Sequence, residues 1–413
     1  MFRLMNPRGR VLCPVLAFAM LAALDRADAA GFKQLYGFTG GADGAAPYGA
    51  LIADDAGNLY GTTSAGGAYG YGTVFRIAPG GTETVLYAFT GQADGGTPYA
   101  GLVADAAGNL YGTTWAGGDV NCGSDSGYFF GCGTVFKVAP DGSETVLYAF
   151  EGGSDGDNPD STPIIDGAGN LFGTTANGGA QNGTVFRISP AGTETQLYVF
   201  KGYPGDGAGP HAGLVADKQG NLYGTTDYGG SGPCESYASQ GCGTVFEISA
   251  EGAERVLYSF DGGSSDGATP SASLIIDKHG NLTGTTGYGG AGSCTNGSVT
   301  GCGIIFRIAP NGAETVLYAF TGKRDGANPL SAVIADEHGN LYGTTAYGGS
   351  KFGFGTIFRL APDGSETVLD ALSGRDGGAN PYGGLLADRH GTLTGMTEAG
   401  GAKDAGDVFR VKE

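Results

Sequence analysis

The tightest constraint on this chain is a phrase that it repeats. Gly-Asn-Leu-Tyr-Gly-Thr-Thr runs from Gly57 to Thr63. Its last six residues recur from Asn109, Asn221 and Asn340, with looser copies from Asn170, Asn281 and Thr392. The intervals are 51, 61, 51, 60, 59 and 52 residues. Each of the three long intervals contains a pair of cysteines, so the basic unit is about 50 residues and the cysteine segments are insertions into it. A period near 50 with strand-like content reads as propeller blades.

Each unit holds four strand signals separated by turn chemistry. In the first they are residues 48–54, 58–63, 72–78 and 83–89. Asp-x-x-Gly-Asn predicts a tight hairpin between the first two, with Gly where φ is positive, and Pro-x-Gly-x-Glu predicts another between the last two. A base in the third strand (Arg76, Lys137, Arg187, Arg307, Arg359) is followed eight residues later by Thr84, Thr145, Thr195, Thr315 or Thr367. One unit changes both positions together, to Glu247 and Arg255, which predicts that the two face each other as a charge pair. The chain stops after a third strand (406–413) and its mature part begins with an unattached fourth (32–38). The expectation is an all-β chain: a seven-bladed β-propeller of four-stranded antiparallel blades, closed by residues 32–38 joining the C-terminal blade so that no gap is left in the ring.

Residues 1–29 stand apart. Arg3, Arg8 and Arg10 precede a short apolar run, and the segment ends in Ala27-Asp28-Ala29, a small-x-small cleavage pattern. This reads as a secretory signal peptide, too short in its apolar part to span a membrane, with residues 30–413 as one domain. Losing its four arginines and two acids takes the net charge from −19 to −21. So acidic a surface argues against nucleic acid and anionic membranes and favours neutral or cationic ligands. Six cysteines remain in close pairs, Cys122 with Cys132, Cys234 with Cys242 and Cys294 with Cys302. In an exported chain these read as three loop staples. Metal binding is the weaker alternative, because no pair is Cys-x-x-Cys and no histidine lies near.

A motif found in every unit is architecture before it is a site. That holds for the Asp-Gly-x-x-Pro turns at Asp43, Asp94, Asp155, Asp206, Asp266, Asp325 and Asp376. Each Asp is expected to bind backbone N–H groups of its own turn, with a ring of calcium sites as the alternative. His279, His338 and His390 share one hairpin position and read as solvent-facing. Two Gly-x-Ser-x-Gly matches, 152–156 and 263–267, lie in glycine-rich turns and not on a strand-to-helix elbow.

Units of the form GLVADAAGNLYGTT…GTVFKVAPDGSETVLYAF…DGxxP resemble the GloVer tandem repeat of secreted bacterial proteins described as "choice-of-anchor". The resemblance spans roughly residues 32–411. It implies an exported bacterial protein and brings no activity or catalytic residues to carry over. No anchor tail follows the seventh unit, so release or a periplasmic location, as a monomer, is expected.

In such a propeller the loops joining second to third strands, and blade to blade, emerge on one face. Here that face carries every insertion. After the Thr-Thr pair the blades diverge, giving Trp115, Asp227, Tyr228, Tyr288, Tyr347 and Glu398; after the turn proline they diverge again, giving Asp160 and His211. Aromatic faces interleaved with carboxylates suit a carbohydrate or a peptide, which makes these eight residues the candidate ligand site. Two functions follow: a binding or scaffolding module, which is favoured, and a polysaccharide-active hydrolase or lyase. Among the titratable members, Asp160, His211 and Asp227 come from neighbouring blades, whereas Glu398 comes from the seventh.

Overall fold

The computed structural model describes residues 31–118, 131–232, 234, 240–296, 299–374 and 377–413, and among them it contains strands and turns but no helix. Seven four-stranded antiparallel sheets form the blades of a propeller. In blade 1 the strands, a to d from the axis outward, are Ile52–Ala53, Leu59–Thr63, Thr73–Ile77 and Glu83–Ala88, paired in that order. Blade 7 takes strands a to c from the end of the chain and strand d from its beginning: Phe32–Gly37 pairs antiparallel with Asp407–Lys412. The base-and-threonine rule is a cross-strand register, Arg76 opposite Thr84 for example, and the exceptional Glu247 and Arg255 are opposed and joined at 2.6 Å.

Every residue of the repeated phrase has a separate task. Gly57 turns the a–b hairpin at φ +81°. Asn58 and Tyr60 both bond the Asp54 carboxylate, at 2.7 and 3.0 Å, fixing the hairpin. Leu59 is buried. Gly61 lies under the ring of Phe75 from strand c. A Cβ there would fall 2.7 Å from the ring, and 2.6–2.7 Å at the six equivalent glycines, so only glycine fits. Thr62 crosses to the next blade and donates to Ala100 O at 2.6 Å; Thr113, Thr174, Thr225, Thr285 and Thr344 do the same to Ser161, Ala212, Ala272, Ser331 and Pro381. Thr63 pairs its hydroxyl with that of Thr73 on strand c at 2.9 Å, with both side chains buried.

The hydrophobic cores lie between blades. Phe89 at the end of strand d in blade 1 meets Phe136 of blade 2 edge-on, with centroids 5.0 Å apart, and the same pairing recurs at six of the seven junctions. At the seventh, Leu372 stands in for the phenylalanine beside Phe409. Such pairs add about 1 kcal/mol each beyond the area they bury.

Strand a differs from expectation. The apolar run 48–54 predicts a full strand, yet only Ile52–Ala53 pair regularly. Residues 48–51 instead pack against neighbouring blades near the axis, so closely that a Cβ on Gly49 would lie 2.3 Å from Gly101 N. Their backbone serves contacts between blades in place of a ladder within one. Two cysteine pairs form as expected, Cys234–Cys242 and Cys294–Cys302, each with a Cα separation of 5.0 Å. Cys122 lies outside the described residues, and the Cys122–Cys132 pairing with it.

The closing seam is chemically distinct. The position of Thr73 is occupied in blade 7 by Asp407, fully buried, whose carboxyl burial pushes up to about 6 and which accepts a hydrogen bond from Gln34 of the N-terminal strand. Phe32 stacks on Phe409, and Phe38 is buried in the core between blades 7 and 1. Deleting residues 32–38 therefore strips one core and leaves Asp407 without its donor. It is expected to lower stability by several kcal/mol and to produce aggregation, read by thermal melting and light scattering. A monomeric deletion variant with an unchanged Tm would contradict this closure.

Candidate functional site

One backbone device repeats at the start of every strand a. The residue before the turn proline has a left-handed backbone: Ala46, Thr97, Asn158, Gly209, Thr269, Asn328 and Asn380, with φ between +51° and +64°. Six of the seven are not glycine, an arrangement that costs roughly 1–2 kcal/mol per site and persists only where neighbours hold it. Each uses its N–H and its C=O to stay in place. Asn158 N bonds Cys132 O at 2.9 Å, Thr269 N bonds Cys242 O at 2.9 Å and Asn328 N bonds Cys302 O at 2.8 Å. The cysteine loop of one blade thus braces the left-handed turn of the next. The carbonyl of the same turn residue accepts from the residue after Thr-Thr, as in Trp115 N to Thr97 O and Asp227 N to Gly209 O.

This bond brings the two divergent positions of each blade side by side. The pairs are Tyr48 with Ser64, Tyr99 with Trp115, Asp160 with Ala176, His211 with Asp227, Ser271 with Gly287, Leu330 with Ala346, and Tyr382 with Glu398. Their side chains meet those of neighbouring blades around the axis, which defines a mouth on the face that carries the insertions.

The mouth has two unlike sides. One is an aromatic arc. Tyr347 Oη bonds Tyr382 Oη at 2.9 Å, Tyr382 stacks on Tyr48 at 5.0 Å, Tyr48 meets Tyr99 edge-on at 5.1 Å, and Tyr99 meets Trp115 edge-on at 6.3 Å. Tyr48 donates to Glu398 at 2.6 Å. Burial, then that carboxylate, keeps the Tyr48 phenol far above its ordinary range. The other side is ionic. His211 Nδ1 lies 2.6 Å from Asp160 Oδ2. Burial alone would lower the His211 pKa, but Asp227 and Asp160 outweigh it and raise it to about 9. Asp227 is pushed up by burial and held down in part by His211 and the Ser271 hydroxyl. One oxygen of each carboxylate, Asp160 Oδ1 and Asp227 Oδ1, is buried with no hydrogen-bond partner among the described residues.

Of the eight candidates, the structure brings Asp160, His211 and Asp227 into one cluster and places Trp115, Tyr347 and Glu398 on the arc. Tyr228 lines a cleft that leaves the mouth beside His211. Tyr288 packs its ring on the core between blades 4 and 5. Tyr48, Tyr99 and Tyr382 belong to the arc as fully as Trp115. Their position after the turn proline signalled divergence, but nothing local in the sequence shows that rings from blades 7, 1 and 2 touch.

The repeated turn carboxylates bind their own turns. Asp43 accepts from Thr39 N at 2.8 Å and Tyr36 Oη at 2.9 Å, and Asp94, Asp155, Asp206, Asp266 and Asp325 repeat the pattern. Their lone pairs point at the N–H and O–H donors of their own turns. Among the described residues no group of three or more His, Cys, Asp or Glu has metal-holding geometry. Asp376 lies outside the described residues.

Fold and site together define a seven-bladed propeller with a divergent axial mouth. The chain belongs to the Gloeobacter/Verrucomicrobia repeat family, whose pattern matches residues 23–130, 123–295 and 291–413. No curated protein matches the sequence. Similar solved structures include the extracellular domain of a candidate one-component system from B. thetaiotaomicron, with 10% identity, a TM-score of 0.49, and 88% of this chain and 38% of that one covered. A luciferin-regenerating enzyme shares 12% identity at a TM-score of 0.43, covering 76% of this chain and 90% of that one. A candidate gluconolactonase shares 11% identity at a TM-score of 0.37, covering 68% of this chain and 80% of that one. The chain thus spans little more than a third of the first of these neighbours.

The ionic side makes a direct claim about protonation. The folded His211 pKa lies above its unfolded value, so the stability it contributes is complete below the ordinary histidine range and is lost as pH rises through about 9. NMR of the imidazole C–H resonances is expected to show His211 titrating near 9, and Asp160→Asn to lower that value by about a unit or more. A wild-type titration near 6.5 would contradict the ion pair.

Proposed function

We propose that this protein is a binding module that works outside the cytoplasm, with a carbohydrate or peptide ligand seated at the mouth. The observation that carries the reading is the meeting, around one mouth, of an arc of aromatic rings with the Asp160–His211–Asp227 cluster. Carboxylate and imidazolium groups gathered at one mouth offer charge-assisted hydrogen bonds to the O–H or N–H groups of a ligand. Aromatic faces opposite carboxylates suit a molecule that is apolar on one side and hydroxylated on the other. Disulfides support an oxidising compartment, in line with the signal-peptide reading of residues 1–29. Among the described residues no helix is long and apolar enough to cross a membrane. A monomer with no nucleic-acid partner completes the proposal.

A second reading draws on the cluster itself. A carboxylate and a protonated imidazole at one pocket are the acid and base of a polysaccharide-active hydrolase or lyase. Glu398 takes no part, being held by Tyr48 of the adjacent blade on the aromatic side. Asp227→Asn separates the two readings: it abolishes turnover in an enzyme and only weakens binding in a module.

The test starts from a glycan and peptide array with residues 30–413. Trp115→Ala is expected to leave the melting curve nearly unchanged and to weaken the ligand found by about 2 kcal/mol, roughly thirtyfold. Alanine at His279 and His338, both exposed at a–b hairpins on the opposite face, is expected to change nothing. If these histidine variants weaken binding and Trp115→Ala does not, the ligand belongs on the other face.

A further inference from the structure

From the mouth, a cleft of about 470 Å³ runs outward between blades 3 and 4, with His211 at its inner end and Lys201 and Tyr203 at its outer end. We propose that this cleft continues the mouth site and that the ligand is a neutral oligosaccharide lying along it, its inner end at the Asp160–His211–Asp227 cluster. The inference rests on the mouth reading above and narrows it to one class and one direction.

Three features carry it. First, the cleft joins the cluster. His211 lines it, and while Nδ1 is engaged by Asp160, Nε2 has no protein partner among the described residues. A protonated imidazole so held presents an N–H to whatever occupies the inner end. Second, the lining is rich in side-chain amides: Asn177, Gln181, Asn182 and Gln240. Each amide both donates and accepts, which matches a hydroxyl, also both donor and acceptor. Gln181 and Gln240 make no side-chain hydrogen bond within the described protein, and Gln181 is presented from a left-handed backbone at φ +69°. Tyr228 and Tyr203 supply flat apolar faces beside these amides. Apart from these rings the apolar lining is Ala176 and Ala208, which leaves no deep pocket for the side chains of a peptide.

Third, the charges select a neutral chain. Asp160 and Asp227 outnumber His211 at the inner end. Lys201, at the outer end, sits 5.8 Å from the centre of the Tyr198 ring, and its charge draws down the Glu254 carboxyl that burial raises. The two carboxylates behind the inner end and the net charge of −21 on residues 30–413 repel a polyuronate, whereas a neutral chain is held by the amides and rings of the lining.

The test is calorimetric titration of the mature protein with linear ladders of increasing length: β-1,4-glucan, β-1,3-glucan, xylan and α-1,4-glucan oligosaccharides, an oligogalacturonate ladder and an alanine–serine peptide ladder. In a neutral sugar ladder, affinity is expected to climb over the first few units and then level off. The double variant Gln181→Ala, Asn182→Ala is expected to weaken the longest member roughly tenfold and leave the shortest binder unchanged, with an unaltered melting curve. Trp115→Ala is expected to weaken every length. Binding with no length dependence, or untouched by the double variant, overturns the cleft while the mouth reading stands. Preference for the uronate or peptide ladder overturns the ligand class. If no ladder is weakened by Trp115→Ala, the mouth reading itself falls, and the cleft with it.

Discussion

No blade of this protein has a core of its own. Each hydrophobic cluster draws on two consecutive blades: Val74 and Phe89 from blade 1 pack with Leu102, Leu110 and Phe136 from blade 2, and the cluster holding Phe38, Val408, Leu51 and Phe75 joins blade 7 to blade 1. Blades that depend on both neighbours are stable only when the ring is closed. The repeated phrase serves that constraint. Its glycine lets a phenylalanine lie across the sheet, its first threonine bonds to the next blade, and its second ties strands b and c. The seam at Phe32–Gly37 carries more than one strand's worth of consequence, since it completes the last of these shared cores.

The same constraint frees the mouth. Because closure, cores and turns are met by repeated residues, two positions per blade are left without an architectural task. The left-handed turn before each proline holds them together, and the bracing carbonyl comes from the preceding blade, in three blades from a cysteine. A rigid frame with divergent side chains at one end is an efficient way to preorganise a site. Here it separates an aromatic arc on blades 6, 7, 1 and 2 from an ionic cluster on blades 3 and 4.

Much of this is legible in the sequence. Periodicity gives seven units, cysteine spacing gives the insertions, and the Glu247–Arg255 exchange gives a cross-strand register that the structure reproduces. What is not legible depends on contacts between units. The short strand a follows from close approach near the axis, which leaves no local mark in residues 48–51. Tyr288 looks equivalent to Tyr228, yet its ring turns to a core. The first residue of strand d is Glu in six blades. In the structure burial, then the turn carboxylate beside it, raises Glu83, Glu144, Glu194, Glu314 and Glu366 to about 7. That pairing spans two blades and is invisible to a reading made one unit at a time.

Architecture and site are carried by different residues of the same repeat. The most direct measurement is on one variant in which Trp115, Asp160, His211 and Asp227 are all replaced by alanine, with melting and ligand titration recorded together. The expected result is a cooperative melt within a few degrees of the parent and no measurable binding to any ligand that the parent holds. A variant that fails to fold, or that folds and still binds, would contradict it.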